Sequence, residues 1–211
     1  MKRVLISLIA LLLATLSAVS QNRADEILAQ FYQRITDETS LTVAFEYRFE
    51  EGQQPAHKRH HGTLKMKGDK FRFEMAGQVF ICDGVSLWTY IPEVEEVQLN
   101  TLEESEDAFL PTTIFSSYRE NFTATYNRTY RVGPKAIHVI DLTPKEKEMP
   151  FSSAQLEIDE STMEPIQITL FSTQGNVHYI INKFLTGKIN DVSIFTFDPS
   201  KHPDVELIDM R

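Results

Sequence analysis

Asp83-Gly84-Val85-Ser86-Leu87-Trp88-Thr89-Tyr90-Ile91-Pro92 reads as a tight turn followed by a strand. Asp-Gly is a strong short-range hairpin signal, and Pro92 stops the ladder because it has no N–H to donate. The run holds the one Trp of the chain. It contains no nucleophile, no acid/base pair and no set of metal ligands. Large apolar side chains stand on a strand where a reactive site would need polar ones. That pattern points to apolar binding, not to chemistry.

Upstream of this hairpin the periodicity is mostly two. Leu41, Val43, Phe45, Tyr47 and Phe49 alternate with Thr42, Ala44, Glu46, Arg48 and Glu50, which makes one apolar face. Strands are expected at about His60–Lys67, Lys70–Met75, Gln78–Cys82, Ser86–Ile91 and Glu95–Asn100. Gly68-Asp69, Ala76-Gly77 and Asp83-Gly84 link them, and turns this short impose antiparallel neighbours. Ahead of the strands, residues 22–36 have a helical stripe of Ile27, Leu28, Phe31, Tyr32 and Ile35, capped by Asn22. Mid-chain, Leu102–Tyr118 reads as one or two short helices broken at Pro111. Strands resume at about Phe122–Arg131, Ala136–Leu142, Ala154–Ile158, Pro165–Phe171, His178–Phe184 and Ile194–Phe197. The expected fold is mainly β with α. One antiparallel meander of about eleven strands curls into an unclosed half-barrel, because adjacent strands twist by roughly 20–25°. The first helix and the short mid-chain helices cover its apolar face.

The chain begins with Lys2 and Arg3, an apolar run from Val4 to Leu16, and Ala18-Val19-Ser20 before Gln21. This is the pattern of a secretory signal peptide, cleaved near Ser20/Gln21. The apolar run is shorter than the roughly 18–20 residues of a membrane anchor. The expected division is residues 1–20 as signal and 21–211 as one domain, soluble and exported. Removing Lys2 and Arg3 with the signal moves the formal charge from -9 to -11. Such acidity argues against nucleic acid as a partner. Cys82 is the single cysteine, and its neighbours Val79, Phe80 and Ile81 mark it as a buried small hydrophobe.

Other constellations read as solvated surface. His57, Lys58, Arg59, His60 and His61 mix imidazoles with cations, which oppose a metal ion. Glu93, Glu95, Glu96 and Glu103–Asp107 form acidic loops, not carboxylates converging across a cleft. No nucleophile elbow and no glycine-rich phosphate loop occurs. Asn121-Phe122-Thr123 and Asn127-Arg128-Thr129 match the glycosylation sequon, which matters only in a eukaryotic secretory pathway. No enzyme activity, cofactor or metal is expected.

Three motifs carry a family resemblance. They are Gly62-Thr63-Leu64 with Phe71-Arg72-Phe73-Glu74; the hairpin Asp83-Gly84 with Leu87-Trp88, Tyr90 and Pro92; and the close Phe195-Thr196-Phe197-Asp198-Pro199 with Asp204-Val205. Together with the order of elements they resemble the periplasmic outer-membrane lipoprotein carrier proteins of the LolA type. The resemblance implies an incomplete barrel whose helices form a lid over a hydrophobic cavity. It implies a monomeric carrier in the periplasm that takes acylated lipoproteins from an inner-membrane ABC-type transporter and passes them towards the outer membrane, to an acceptor there. On this reading the cavity wall comprises Val43, Phe45, Tyr47, Phe49, Leu64, Met66, Phe71, Phe73, Trp88 and Tyr90. Leu110, Ile114 and Phe115 belong to the lid. The family's latch arginine has no counterpart in Lys65-Met66-Lys67-Gly68, and Lys67 is the possible substitute. The rival reading is a lipid- or lipoprotein-sensing periplasmic protein of the same fold.

Overall fold

The computed structural model describes residues 20, 22–35, 40–50, 59–102, 118–145 and 149–211. Helix α1 spans residues 22–35. Strands β1 (Leu41–Glu50), β2 (His60–Lys67), β3 (Lys70–Met75), β4 (Gln78–Cys82), β5 (Ser86–Ile91) and β6 (Glu96–Thr101) follow. After the short helix α2 (Tyr118–Asn121) come β7 (Phe122–Val132), β8 (Lys135–Pro144), β9 (Ser153–Asp159), β10 (Pro165–Phe171), β11 (Asn176–Thr186) and β12 (Glu206–Asp209).

All twelve strands form one open sheet in the order β12-β6-β5-β4-β3-β2-β1-β11-β10-β9-β8-β7. It is therefore not a single meander. β1–β6 and β7–β11 are two meanders, joined where β1 pairs antiparallel with β11 from Leu41↔Thr186 to Glu50↔Asn176. One expected strand is also different. Ile194–Phe197 contributes to a 3₁₀ turn at Ser193–Phe195, and the last strand is Glu206–Asp209. That strand runs parallel to β6, Glu206↔Glu96 to Asp209↔Leu99. A parallel partner needs a long return, which residues 187–205 supply.

The hairpin of residues 83–91 forms as read. Gly84 takes φ +100, and the Asp83 carboxylate accepts from the N–H groups of Val85 and Ser86 at 3.0 and 2.8 Å. This Asx-type capping is what makes Asp preferred before Gly in a tight turn. Cys82 is fully buried, and its Sγ accepts from the Gly84 N–H at 3.3 Å.

The main core lies between α1 and one face of the sheet. Ala24, Leu28 and Phe31 of α1 are completely buried against Val43, Leu64, Phe73, Ile140, Leu142, Leu156 and Ile168. These residues come from both meanders, so α1 closes the seam between them. A smaller core sits on the opposite face, where Ile81, Val97 and Phe197 are buried with Trp88, Tyr90 and Val205 beside them.

Candidate functional site: the apolar face beneath the first helix

Cross-strand register shows which side chains share a face, since directly opposed residues point the same way. One row runs Leu41–Met66–Phe71–Cys82–Leu87 across β1 to β5. The next row runs Val43–Leu64–Phe73–Phe80–Thr89. Beyond β1 the same face continues through Tyr47, Tyr179, Ile168, Leu156 and Ile140. The wall is thus apolar over almost the full width of the sheet. Polar groups on this face include Thr89, opposed by Gln98 on β6, and His138 on β8.

Eight of the ten expected wall residues belong to this face: Val43, Phe45, Tyr47, Phe49, Leu64, Met66, Phe71 and Phe73. Phe49 sits at the strand end and is half-exposed. Trp88 and Tyr90 do not belong to it. They oppose Ile81 and Val79, one residue out of phase with Phe80 and Cys82, and so point to the other side of the sheet. There the C-terminal segment covers them. Tyr90 lies 5.6 Å from the Phe197 ring and 5.1 Å from His202, which itself stacks on Phe197. The period-two pattern of Leu87, Thr89 and Ile91 against Trp88 and Tyr90 was visible, but apolar residues on both faces hid which set looked inward.

The contribution of the second meander was missed. Ile140, Leu142, Leu156, Ile158, Ile168 and Leu170 are all buried on this face. The alternation Ala154, Leu156, Ile158 was the available signal. The lid residues Leu110, Ile114 and Phe115 lie outside the described residues, as do His57 and Lys58. Of the basic loop, His60 stacks on Tyr47 at 5.1 Å, while adjacent residues of a strand face opposite ways, which separates His60 from His61.

Packing at the wall is close. The Phe45 ring lies over Gly62, where a Cβ would stand 2.3 Å from the ring and 2.8 Å from the Glu74 carbonyl oxygen. Phe45 also stacks on Phe73 at 5.8 Å and meets Tyr179 edge-on at 5.6 Å. Burial pushes the Tyr179 hydroxyl up to about 12, with the nearby Tyr47 adding to the shift. Next to this end, a recess of about 290 Å³ opens at the β3–β4 turn, lined by Gly62, Thr63, Glu74, Met75 and Ala76 among others.

Helix α1 is tied to the second meander by an ion pair and a cation–π contact. Arg34 pairs with Glu164 at 2.6 Å, and the Arg23 guanidinium sits 4.1 Å over the Tyr126 ring. Beside Tyr126, the buried His138 bonds Thr129 Oγ1 at 2.7 Å. Burial holds its pKa below the usual imidazole value, with Glu160 opposing the shift and Arg23 reinforcing it. Lys67 grips the C-terminal segment. Its Nζ donates to the Ile189 carbonyl at 3.1 Å, while Ser40 Oγ accepts from the Ile189 N–H at 3.0 Å.

Comparison with known proteins agrees with this geometry. A curated relative in Chromohalobacter salexigens, an outer-membrane lipoprotein carrier protein, is 27% identical over 201 residues, 93% of this chain and 92% of its own. Among solved structures, an uncharacterized conserved protein from Thermus thermophilus superposes with TM-score 0.60 at 9% identity, covering 89% of this chain and 99% of that one. A putative outer membrane lipoprotein-sorting protein domain from Vibrio parahaemolyticus gives TM-score 0.51 at 10% identity, covering 83% and 97%. The family described as outer membrane lipoprotein carrier protein LolA matches residues 36–198. The chain belongs to that family.

Proposed function

We propose that this chain is a periplasmic carrier that binds the acyl chains of lipoproteins between α1 and the apolar face of the sheet, and ferries them from the inner to the outer membrane. The observation that carries the reading is that face itself: one apolar surface spanning both meanders, with a single described helix over it. Family membership and the name of the Chromohalobacter salexigens relative support lipoprotein as cargo. The family is one of binding and transport proteins, and the described part of the site offers apolar burial.

The energetics favour exchange. Burial of Ile27, Leu28 and Phe31 holds α1 down by about 5–9 kcal/mol, at 1.5–3 kcal/mol per side chain. One sixteen-carbon acyl chain gains about 12 kcal/mol on leaving water, at 0.8 kcal/mol per methylene. Cargo therefore competes with the helix for the same wall. In this reading α1 moves aside for cargo, an inner-membrane ABC-type transporter supplies it, and an outer-membrane acceptor receives it.

Titration with a fluorescent fatty-acyl probe, together with native mass spectrometry of protein taken from periplasm, tests the proposal. Saturable probe binding and co-purified acylated protein are expected. Folded protein that binds neither overturns it.

A further inference from the structure

The two margins of the sheet differ in length and charge. β12 has four residues and carries Glu206 and Asp209 next to Glu95 and Glu96. β7 has eleven residues, and among the described residues no strand pairs along its outer side. The stretch that builds this margin, residues 118–145, holds Arg119, Arg128, Arg131, Lys135 and Lys145 against Glu120 and Asp141. It is net +3 within a chain of -9. Asp141 is already engaged by the amides of Asn127 and Gln155 at 2.6 and 2.8 Å. Lys135 is paired with Asp159 at 3.3 Å, which leaves Arg128 and Arg131 as the cations of the long edge strand itself on an acidic protein.

The geometry of that edge is specific. A bulge at Asn127 separates Tyr126 from Arg128. Beyond it Arg128–Val132 pairs in regular register with Val139–Lys135. Arg128 opposes Val139 and Arg131 opposes Ala136, so the two guanidinium groups flank opposite faces of the same edge. Both arginines are exposed. Charges on an open edge repel strands of like sign and attract those of opposite sign. From the helix start, Ser20 Oγ donates to the Tyr126 carbonyl at 2.8 Å. Cleavage of a signal peptide after Ser20 removes that contact and leaves the margin clearer.

We propose that this edge docks an extended acidic segment of a partner protein. The segment adds a strand outside Arg128–Val132 through main-chain hydrogen bonds, and its carboxylates meet Arg128 on one face and Arg131 on the other. The proposal is independent of the cargo reading: Arg128 stands on the face away from the apolar wall, and Arg131, on the wall side, is exposed at the sheet margin.

The test uses the full chain without its signal and three fluorescein-labelled peptides of about ten residues each. One alternates Glu with Thr or Val, one has Lys in place of each Glu, and one carries Pro at two of the Thr or Val positions. Anisotropy is expected to show the acidic peptide binding at least about tenfold tighter than the other two. Binding is expected to fall about tenfold in the Arg128→Glu/Arg131→Glu variant, whose circular dichroism and acyl-probe affinity stay unchanged. Amide exchange is expected to slow at Arg128–Val132. Equal affinity for the acidic and lysine peptides overturns the proposal, as does indifference to proline or protection elsewhere in the sheet. Self-association of the protein that the same variant abolishes also overturns it, by assigning the edge to a second copy of this chain.

Discussion

Gly62 and Phe45 show how closely the wall is built at the level of single residues. The ring occupies the space a side chain at position 62 would need. Gly62→Ala is expected to cost about 1–3 kcal/mol through overpacking. That lowers the melting temperature by several degrees in calorimetry. His138 gives a pH dependence. Its folded pKa lies below the ordinary 6.5 because the ring is buried, so the unfolded chain takes up the proton first as pH falls. Stability is expected to drop on acidification below about pH 6.5. His138→Phe is expected to flatten that dependence in urea unfolding between pH 7.5 and 5.5. Trp88 separates the two faces. Because it lies under the C-terminal segment, Trp88→Phe is expected to leave acyl-probe affinity unchanged while lowering stability by about 1 kcal/mol. A large loss of probe affinity would put Trp88 in the cargo wall after all.

At the scale of elements, α1 packs over the wall. Phe31 is wholly buried at the centre of its apolar stripe. Phe31→Ala is expected to cost about 3–5 kcal/mol of stability by leaving a cavity. An apolar cavity stays dry and takes apolar guests, so the same variant is expected to bind a short-chain acyl probe more tightly than the parent. Fluorescence titration checks this, and weaker binding would separate α1 from the cargo site. The helix was legible from its 3.6-residue stripe, and β1 from its strict alternation. β5 was legible as a strand but not as to side. Leu87 and Ile91 are apolar in one phase, Trp88 and Tyr90 in the other, and hydrophobic periodicity cannot rank two greasy faces. β12 was not legible, because Glu206, Leu207, Ile208 and Asp209 have neither alternation nor a turn signal. It is a strand because β6 offers it an edge.

Across the whole molecule, the C-terminal segment is a strap over the face that α1 does not cover. It leaves β11 at the centre of the sheet, is held by Ser40 and Lys67, buries Phe195 and Phe197, and ends beside β6 at the margin. Truncation after Lys188 would expose Ile81, Trp88, Tyr90 and Val97. The shortened protein is expected to bind a hydrophobic dye strongly and to aggregate, as contiguous apolar surface of this kind does. Light scattering and dye fluorescence check this. Retained solubility without dye binding would mean the strap is dispensable. Lys67 therefore acts on this strap in the structure, through the Ile189 carbonyl, at the position where the resemblance suggested a latch.

Local chemistry was enough to set most of the individual elements, the turns and the apolar character of one long wall. Each of these follows from neighbouring residues: a period of two or 3.6, an Asp-Gly turn, a Pro stop. Three features needed the folded chain. They are the seam between β1 and β11, the parallel return of β12, and the side of the sheet on which Trp88 and Tyr90 stand. All three rest on contacts between residues far apart in the chain, such as Leu41 with Thr186, Glu96 with Glu206 and Tyr90 with Phe197. Which element covers each of two apolar faces depends on how the rest of the molecule is laid over the sheet. Here a helix covers one face and the C-terminal strap covers the other.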